Sequence, residues 1–68
     1  MSISIRVNGV ARDVREDCTV AGLVVELGLR RELIAVERNG AIVRRVDHEA
    51  TRLAPGDVLE IVTLVGGG

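Results

Sequence analysis

Gly56-Asp57-Val58-Leu59-Glu60-Ile61-Val62-Thr63-Leu64-Val65-Gly66-Gly67-Gly68 is the stretch on which the fold turns. Pro55-Gly56-Asp57 reads as a tight turn, with proline presetting φ and glycine supplying freedom. Val58 to Val65 then reads as a strand that is apolar on both sides apart from Glu60 and Thr63. That pattern predicts a strand in the middle of a sheet, covered on much of both faces. Three glycines follow, Gly66-Gly67-Gly68. Taken alone, such an end reads as a flexible terminus, and the boundaries expected are a domain over 1–65 and a flexible glycine tail over 66–68.

A central last strand needs neighbours, and the opening residues supply one. Ile3, Ile5 and Val7 alternate with Ser2, Ser4 and Arg6, the period of a half-buried strand. Asn8-Gly9 is the strongest short-range hairpin signal, because both turn residues need positive φ. Val10 to Val14 returns as a second strand whose weaker alternation suits an edge. Arg15-Glu16-Asp17 connects to a helix. Thr19 is placed to cap it, and Val20, Leu23, Val24 and Leu27 make one apolar stripe. Gly22 and the β-branched valines leave that helix intrinsically weak, dependent on packing against the sheet. Gly28 is a natural stop. Leu33 to Arg38 fits a third strand, Asn39-Gly40 repeats the hairpin signal, and Ala41 to Val43 begins a fourth. Arg44 to Ala50 is charged and irregular, and Thr51 to Leu53 fits a further short strand.

Strand, strand, helix, strand, strand, strand describes an α+β chain of the β-grasp architecture. The expected form is a mixed four- to five-stranded sheet with one helix diagonally across one face. Its first and last strands should be parallel neighbours joined by a right-handed route.

Composition excludes several function classes. At 68 residues the chain is one domain, and a domain of that size buries only roughly 60% of its unfolded surface. Hydrophobic residues make up 47% of it and none is aromatic. Such a thin core leaves no room for a ligand pocket of about 300 Å³ or more, which argues against a self-contained enzyme. A net charge of -1 is no footprint for nucleic acid, and stacking platforms for single strands are absent. All nine basic residues are arginine, so no side-chain amine is available for a Schiff base or an isopeptide. Cys18 is the single cysteine, which precludes an internal disulfide and fits a reducing cytoplasm. The start shows no signal-peptide pattern, and no apolar run approaches the roughly 20 residues of a membrane span. The expected location is therefore cytoplasmic, with no membrane partner.

Val36-Glu37-Arg38-Asn39-Gly40, Gly56 to Val62 and Leu64-Val65-Gly66-Gly67-Gly68 together resemble the bacterial sulfur carriers of thiamine biosynthesis, the ubiquitin-like ThiS family. Val7-Asn8-Gly9 and the helix start Thr19-Val20 agree with it, so the resemblance spans the chain in order. It implies a carrier acted on by other enzymes, with no catalytic residue, metal or bound cofactor of its own. A ThiF-like partner, using ATP and Mg, would adenylate the terminal carboxylate. Sulfur from a cysteine-desulfurase persulfide, or another persulfide donor, would then give a thiocarboxylate. A ThiG-like thiazole synthase would accept that sulfur. Carried over by position, the modified residue is Gly68, while Gly67, Gly66, Val65 and Leu64 occupy the partner's channel.

The tail suits that chemistry. A carboxylate is a poor electrophile, and acyl-adenylate formation supplies a leaving group. Glycine has no Cβ, threads a narrow channel and takes extended or positive φ without strain. Three extended residues reach roughly 10 Å, and Leu64 and Val65 lengthen that reach with an apolar grip.

Other features read as structural. Cys18 is a small residue at the helix entry, with no general base identifiable beside it. His48, between Asp47 and Glu49, reads as an exposed loop residue. Arg30-Arg31 and Arg44-Arg45 read as solvated surface, and the exposed face of the last strand is the better docking candidate. Four alternatives remain open on the sequence. They are the small subunit of molybdopterin synthase, another sulfur carrier of the same fold, a ubiquitin-like protein modifier, and a non-catalytic β-grasp interaction module.

Overall fold

Ser2–Val7 forms β1 and Val10–Arg15 forms β2, paired antiparallel with Ile3 opposite Val14 and Val7 opposite Val10. The turn between them has positive φ at Asn8 (50°) and Gly9 (83°). The same pair of signs recurs at Asn39 (52°) and Gly40 (87°), as a two-residue hairpin matched to strand twist requires. This computed structural model describes residues 1–64. After β2 come α1 (Val20–Glu26), a 3-10 turn at Arg31–Leu33, β3 (Ile34–Arg38), β4 (Ala41–Val43), a second 3-10 turn at Arg45–Asp47, and β5 (Val58–Thr63).

The five strands form one sheet in the order β2-β1-β5-β3-β4. β5 is central. It runs parallel to β1, through Arg6 opposite Val58, and antiparallel to β3, through Ile34 opposite Thr63. β2 and β4 are the edges. This is the mixed sheet that the element order implied.

α1 packs on one face of that sheet. Val20, Leu23 and Val24 are buried against Ile5, Val36 and Leu59, and Leu27 packs at the margin. Thr19 Oγ1 accepts the Gly22 N–H at 3.1 Å, which caps the helix. The Gly28 N–H bonds the Val25 carbonyl, with Gly28 at φ 72° ending the helix.

Four expectations need correction. β5 ends at Thr63 and is covered on one face only. Leu59 and Ile61 are buried, whereas Val58 and Val62 are 45% and 57% exposed. A single helix covers one side, so an apolar run here buries only every second residue. Leu33 belongs to the 3-10 turn, and β3 begins at Ile34. Thr51 to Leu53 is not a strand, because its one ladder contact is an isolated bridge from Arg52 to Thr19. Finally, His48 is 2% exposed. The Arg45–Asp47 turn carries its exposed neighbours outward and rotates the imidazole onto the core, where Nε2 lies 3.2 Å from the Val43 carbonyl.

Candidate functional site: the strand that carries the tail

β5 is held along its length by more than sheet pairing. From β1, the Arg6 N–H donates to Asp57 and the Asn8 N–H to Leu59, both at 2.9 Å. The chain then turns away at Asn8-Gly9, yet the ladder does not stop. Asn8 Oδ1 accepts the Ile61 N–H at 2.8 Å, and Asn8 Nδ2 donates to the Ile61 carbonyl at 3.1 Å. A side-chain amide carries the same donor and acceptor as a peptide group, so Asn8 stands in for the strand residue that β1 lacks.

The second Asn-Gly turn grips the other end of β5. The Asn39 N–H donates to the Val58 carbonyl at 2.7 Å, and Asn39 Oδ1 accepts the Val58 N–H at 2.9 Å. Asn39 Nδ2 reaches Asp57 Oδ1 at 3.1 Å. Asp57 Oδ2 also accepts from Arg38 Nε at 2.7 Å and from the Ala54 N–H at 2.8 Å. Burial alone pushes the Asp57 carboxyl up. Hydrogen bonds from Ala54, Arg38 and Asn39, with the Arg38 charge, outweigh it and hold the group below its ordinary value.

β5 is thus held in a fixed frame up to its C-terminal end. Leu64 lies just beyond the strand, 47% exposed, and its N–H donates to the Leu33 carbonyl at 2.7 Å. Of the residues expected to enter a partner's channel, Leu64 alone is described. Val65, Gly66, Gly67 and the expected modified residue Gly68 lie outside the described residues, as does the expected boundary between domain and tail.

The remaining reactive side chains lie apart from this end. Cys18 is half-buried at the helix entry, and its Sγ lies 3.4 Å from the Thr19 carbonyl. Burial, then the charges of Glu26 and Asp17, push the thiol up, with Arg12 and Arg15 opposing them. It is a poor nucleophile at neutral pH. His48 anchors backbone instead, its carbonyl accepting the Ala21 N–H at 3.0 Å. Among the described residues no three of His, Cys, Asp and Glu gather to hold a metal ion, and no helix is long and apolar enough to cross a membrane.

Both Asn-Gly turns are legible in the sequence, but what their side chains do is not. Asn8 bonds a residue 53 positions away, and no local pattern announces such a partner. The Asp57 cluster left a fainter signal, since Arg38-Asn39 and Asp57 abut the two turns that must meet.

A helix on one face of a five-stranded mixed sheet, with parallel terminal strands at its centre, defines a ubiquitin-like β-grasp protein. The particular family follows from comparison with known proteins. The model of the ThiS family matches residues 5–68, and the chain belongs to that family. The crystal structure of the thiamine biosynthesis protein ThiS from Geobacter metallireducens superposes with a TM-score of 0.83 at 32% identity, covering 97% of this chain and 100% of that one. The sulfur carrier protein ThiS of Bacillus subtilis is 36% identical over 50 residues, 74% of this chain and 76% of its own. A thiazole synthase of Magnetococcus marinus is 38% identical over 66 residues, 97% of this chain but 20% of that protein. The chain therefore spans about a fifth of the length of such thiazole synthases.

Proposed function

We propose that this chain is a sulfur carrier of thiamine biosynthesis, a protein substrate loaded at its last residue by partner enzymes in the cytoplasm. The observation that carries this reading is the fixation of β5. The strand running toward the glycines is central, and side chains from both hairpin turns pin it. A carrier needs that construction, because its own contribution is placement of a reactive end in another protein's active site.

In the proposed cycle a ThiF-like enzyme uses ATP, with Mg, to convert the Gly68 carboxylate to an acyl-adenylate and release pyrophosphate. A persulfide sulfur, from a cysteine desulfurase or another donor, displaces AMP. Thiol cleavage of the resulting acyl disulfide leaves the thiocarboxylate. Leu64, Val65, Gly66 and Gly67 occupy the channel during these steps. Thiazole synthase is the proposed acceptor, supported by the likeness of this chain to a fifth of proteins bearing that name.

Intact-mass measurement after incubation with ATP, activating enzyme and sulfur donor tests the reading. The expected product carries one sulfur in place of one oxygen, localised to Gly68 by fragmentation. Turnover of ATP with an unchanged carrier mass would sink the sulfur role. Loading without transfer to thiazole synthase would redirect the carrier to another acceptor.

A further inference from the structure

The end of the sheet from which β5 departs gathers arginines. Thr63 pairs with Ile34 at the start of β3, and Val43 at the end of β4 pairs with Val36. The chain preceding β3 carries Arg30 and Arg31, and the chain following β4 carries Arg44 and Arg45, all exposed. Arg44 and Arg45 line an open cleft of about 200 Å³ with Ile34, Val43, His48 and Leu64. Among the described residues no carboxylate lines the cleft.

Six of the nine arginines form no ion pair among the described residues, Arg6 and Arg52 as well as these four. Arg12, Arg15 and Arg38 are ion-paired with Glu26, Asp17 and Asp57. Among the described residues Arg30, Arg31, Arg44 and Arg45 form no ion pair, and Arg45 Nη2 makes one long bond, 3.5 Å, to the Glu32 carbonyl. The opposite sign lies in mid-sheet, where Glu37 and Glu60 face each other across β3 and β5, both exposed. Exposed carboxylates also stand close in sequence to the four arginines, at Glu32, Asp47 and Glu49, so the positive charge is confined to the cleft that Arg44 and Arg45 line.

We propose that Arg44 and Arg45, flanking the cleft that holds Leu64, dock an acidic surface of the activating enzyme at the mouth of the channel that receives the tail. The proposal rests on the carrier reading above. Four residues beyond Leu64 span at most roughly 14 Å. An enzyme that grips Gly68 thus brings its channel mouth close to the cleft, and a mouth bearing carboxylates complements two unpaired guanidinium groups. Such complementarity mainly raises the association rate and fixes register. Residue type matters as well. Arginine keeps its charge at every working pH, whereas the small unprotonated fraction of an exposed lysine is a nucleophilic amine. Near an acyl-adenylate that amine would compete with sulfur, forming an isopeptide and releasing AMP. With nine arginines and no lysine in the chain, the docking charge is held in an inert form.

The test uses the full chain with a purified ThiF-like enzyme and follows ATP–pyrophosphate exchange against carrier concentration. The variants are R44E/R45E and, as a charge-changing control away from the cleft, R52E. The expected result is a KM for the carrier raised at least about tenfold in R44E/R45E, with kcat and the thermal midpoint little changed and R52E near wild type. Added salt should raise the wild-type KM and leave that of R44E/R45E nearly constant. Equal KM values at low ionic strength would overturn the proposal. So would a loss confined to kcat, which would assign the arginines to the chain's own terminal carboxylate. If the wild type itself supports no exchange, the carrier reading fails and the docking proposal falls with it. If exchange proceeds normally in every variant, the docking proposal fails alone.

Discussion

Asn8 performs two tasks that substitution can separate. It takes positive φ in the first hairpin turn, and its amide completes the ladder on Ile61. Asn8→Gly keeps the first and removes the second. Leaving the part-buried Ile61 N–H and carbonyl without their partner is expected to cost about 1–3 kcal/mol. Asn8→Ala should cost more, because it adds the strain of positive φ. Urea denaturation of the three proteins gives the comparison, and equal stabilities for Asn8→Gly and wild type would remove the amide's role. Asp57 adds a pH dependence whose sign is fixed. Its carboxyl is held below the ordinary value of 3.8 in the folded state. The stabilisation is therefore fully present above the unfolded value and is lost as pH falls through the folded one. Asp57→Asn should lower stability near neutrality and lose less than wild type between about pH 7 and pH 3. Parallel losses in the two proteins, read by denaturant midpoints, would place the acid sensitivity elsewhere.

Among the secondary-structure elements, α1 is short, with seven residues and a glycine in its first turn. Helices this short draw their stability from packing, and here Val20, Leu23 and Val24 provide it. A Cβ on Gly22 would meet Cys18 Sγ at 3.5 Å and Thr19 Oγ1 at 3.6 Å, ordinary contact distances. Gly22→Ala should therefore stabilise the protein by about 0.5–1 kcal/mol through propensity alone. A lower denaturation midpoint would mean the added methyl disturbs the Thr19 cap. β5 carries an opposite tension, since Glu37 and Glu60 stand directly across from each other. Like charges in that position destabilise a sheet. Glu60→Gln is expected to gain a few tenths of a kcal/mol, and Glu37→Gln added to it little more. Additive gains in the double variant would show that the two carboxylates do not interact. The alternation of β1, the helix stripe and both Asn-Gly turns were readable because each signal is local. The covering of β5, the inward turn of His48 and the grip of Asn8 on Ile61 were not. Each depends on which distant element lies opposite, and neither period nor propensity records that.

For the molecule as a whole, the proposed division of labour between a docked body and a reactive tail makes a sharper demand than either part alone. Among the described residues the buried core runs from Ile5 to Ile61, and the last of the bonds around β5 is that of the Leu64 N–H. Removing Gly67-Gly68 should therefore leave the thermal midpoint unchanged while abolishing sulfur loading, because the carboxylate then ends roughly 7 Å short of the reacting position. Inserting Gly-Gly between Val65 and Gly66 asks the complementary question. The terminal chemistry is intact, but the leash is about 7 Å too long for a body docked as before. If the docked body sets the position of Gly68, the lengthened chain should lose loading efficiency chiefly in kcat, with KM for the activating enzyme retained. If the enzyme recognises only a terminal glycine peptide, the lengthened chain and the wild type should load alike. A free peptide of the last residues should then also be a substrate. A plain interaction module of the same fold requires a third pattern, in which the trimmed chain retains its biological activity. Exchange kinetics on the trimmed, lengthened and wild-type chains separate the three. The pinning of β5 by side chains from both hairpins argues for the first outcome, since a terminal peptide read in isolation would have no use for a strand held so firmly behind it.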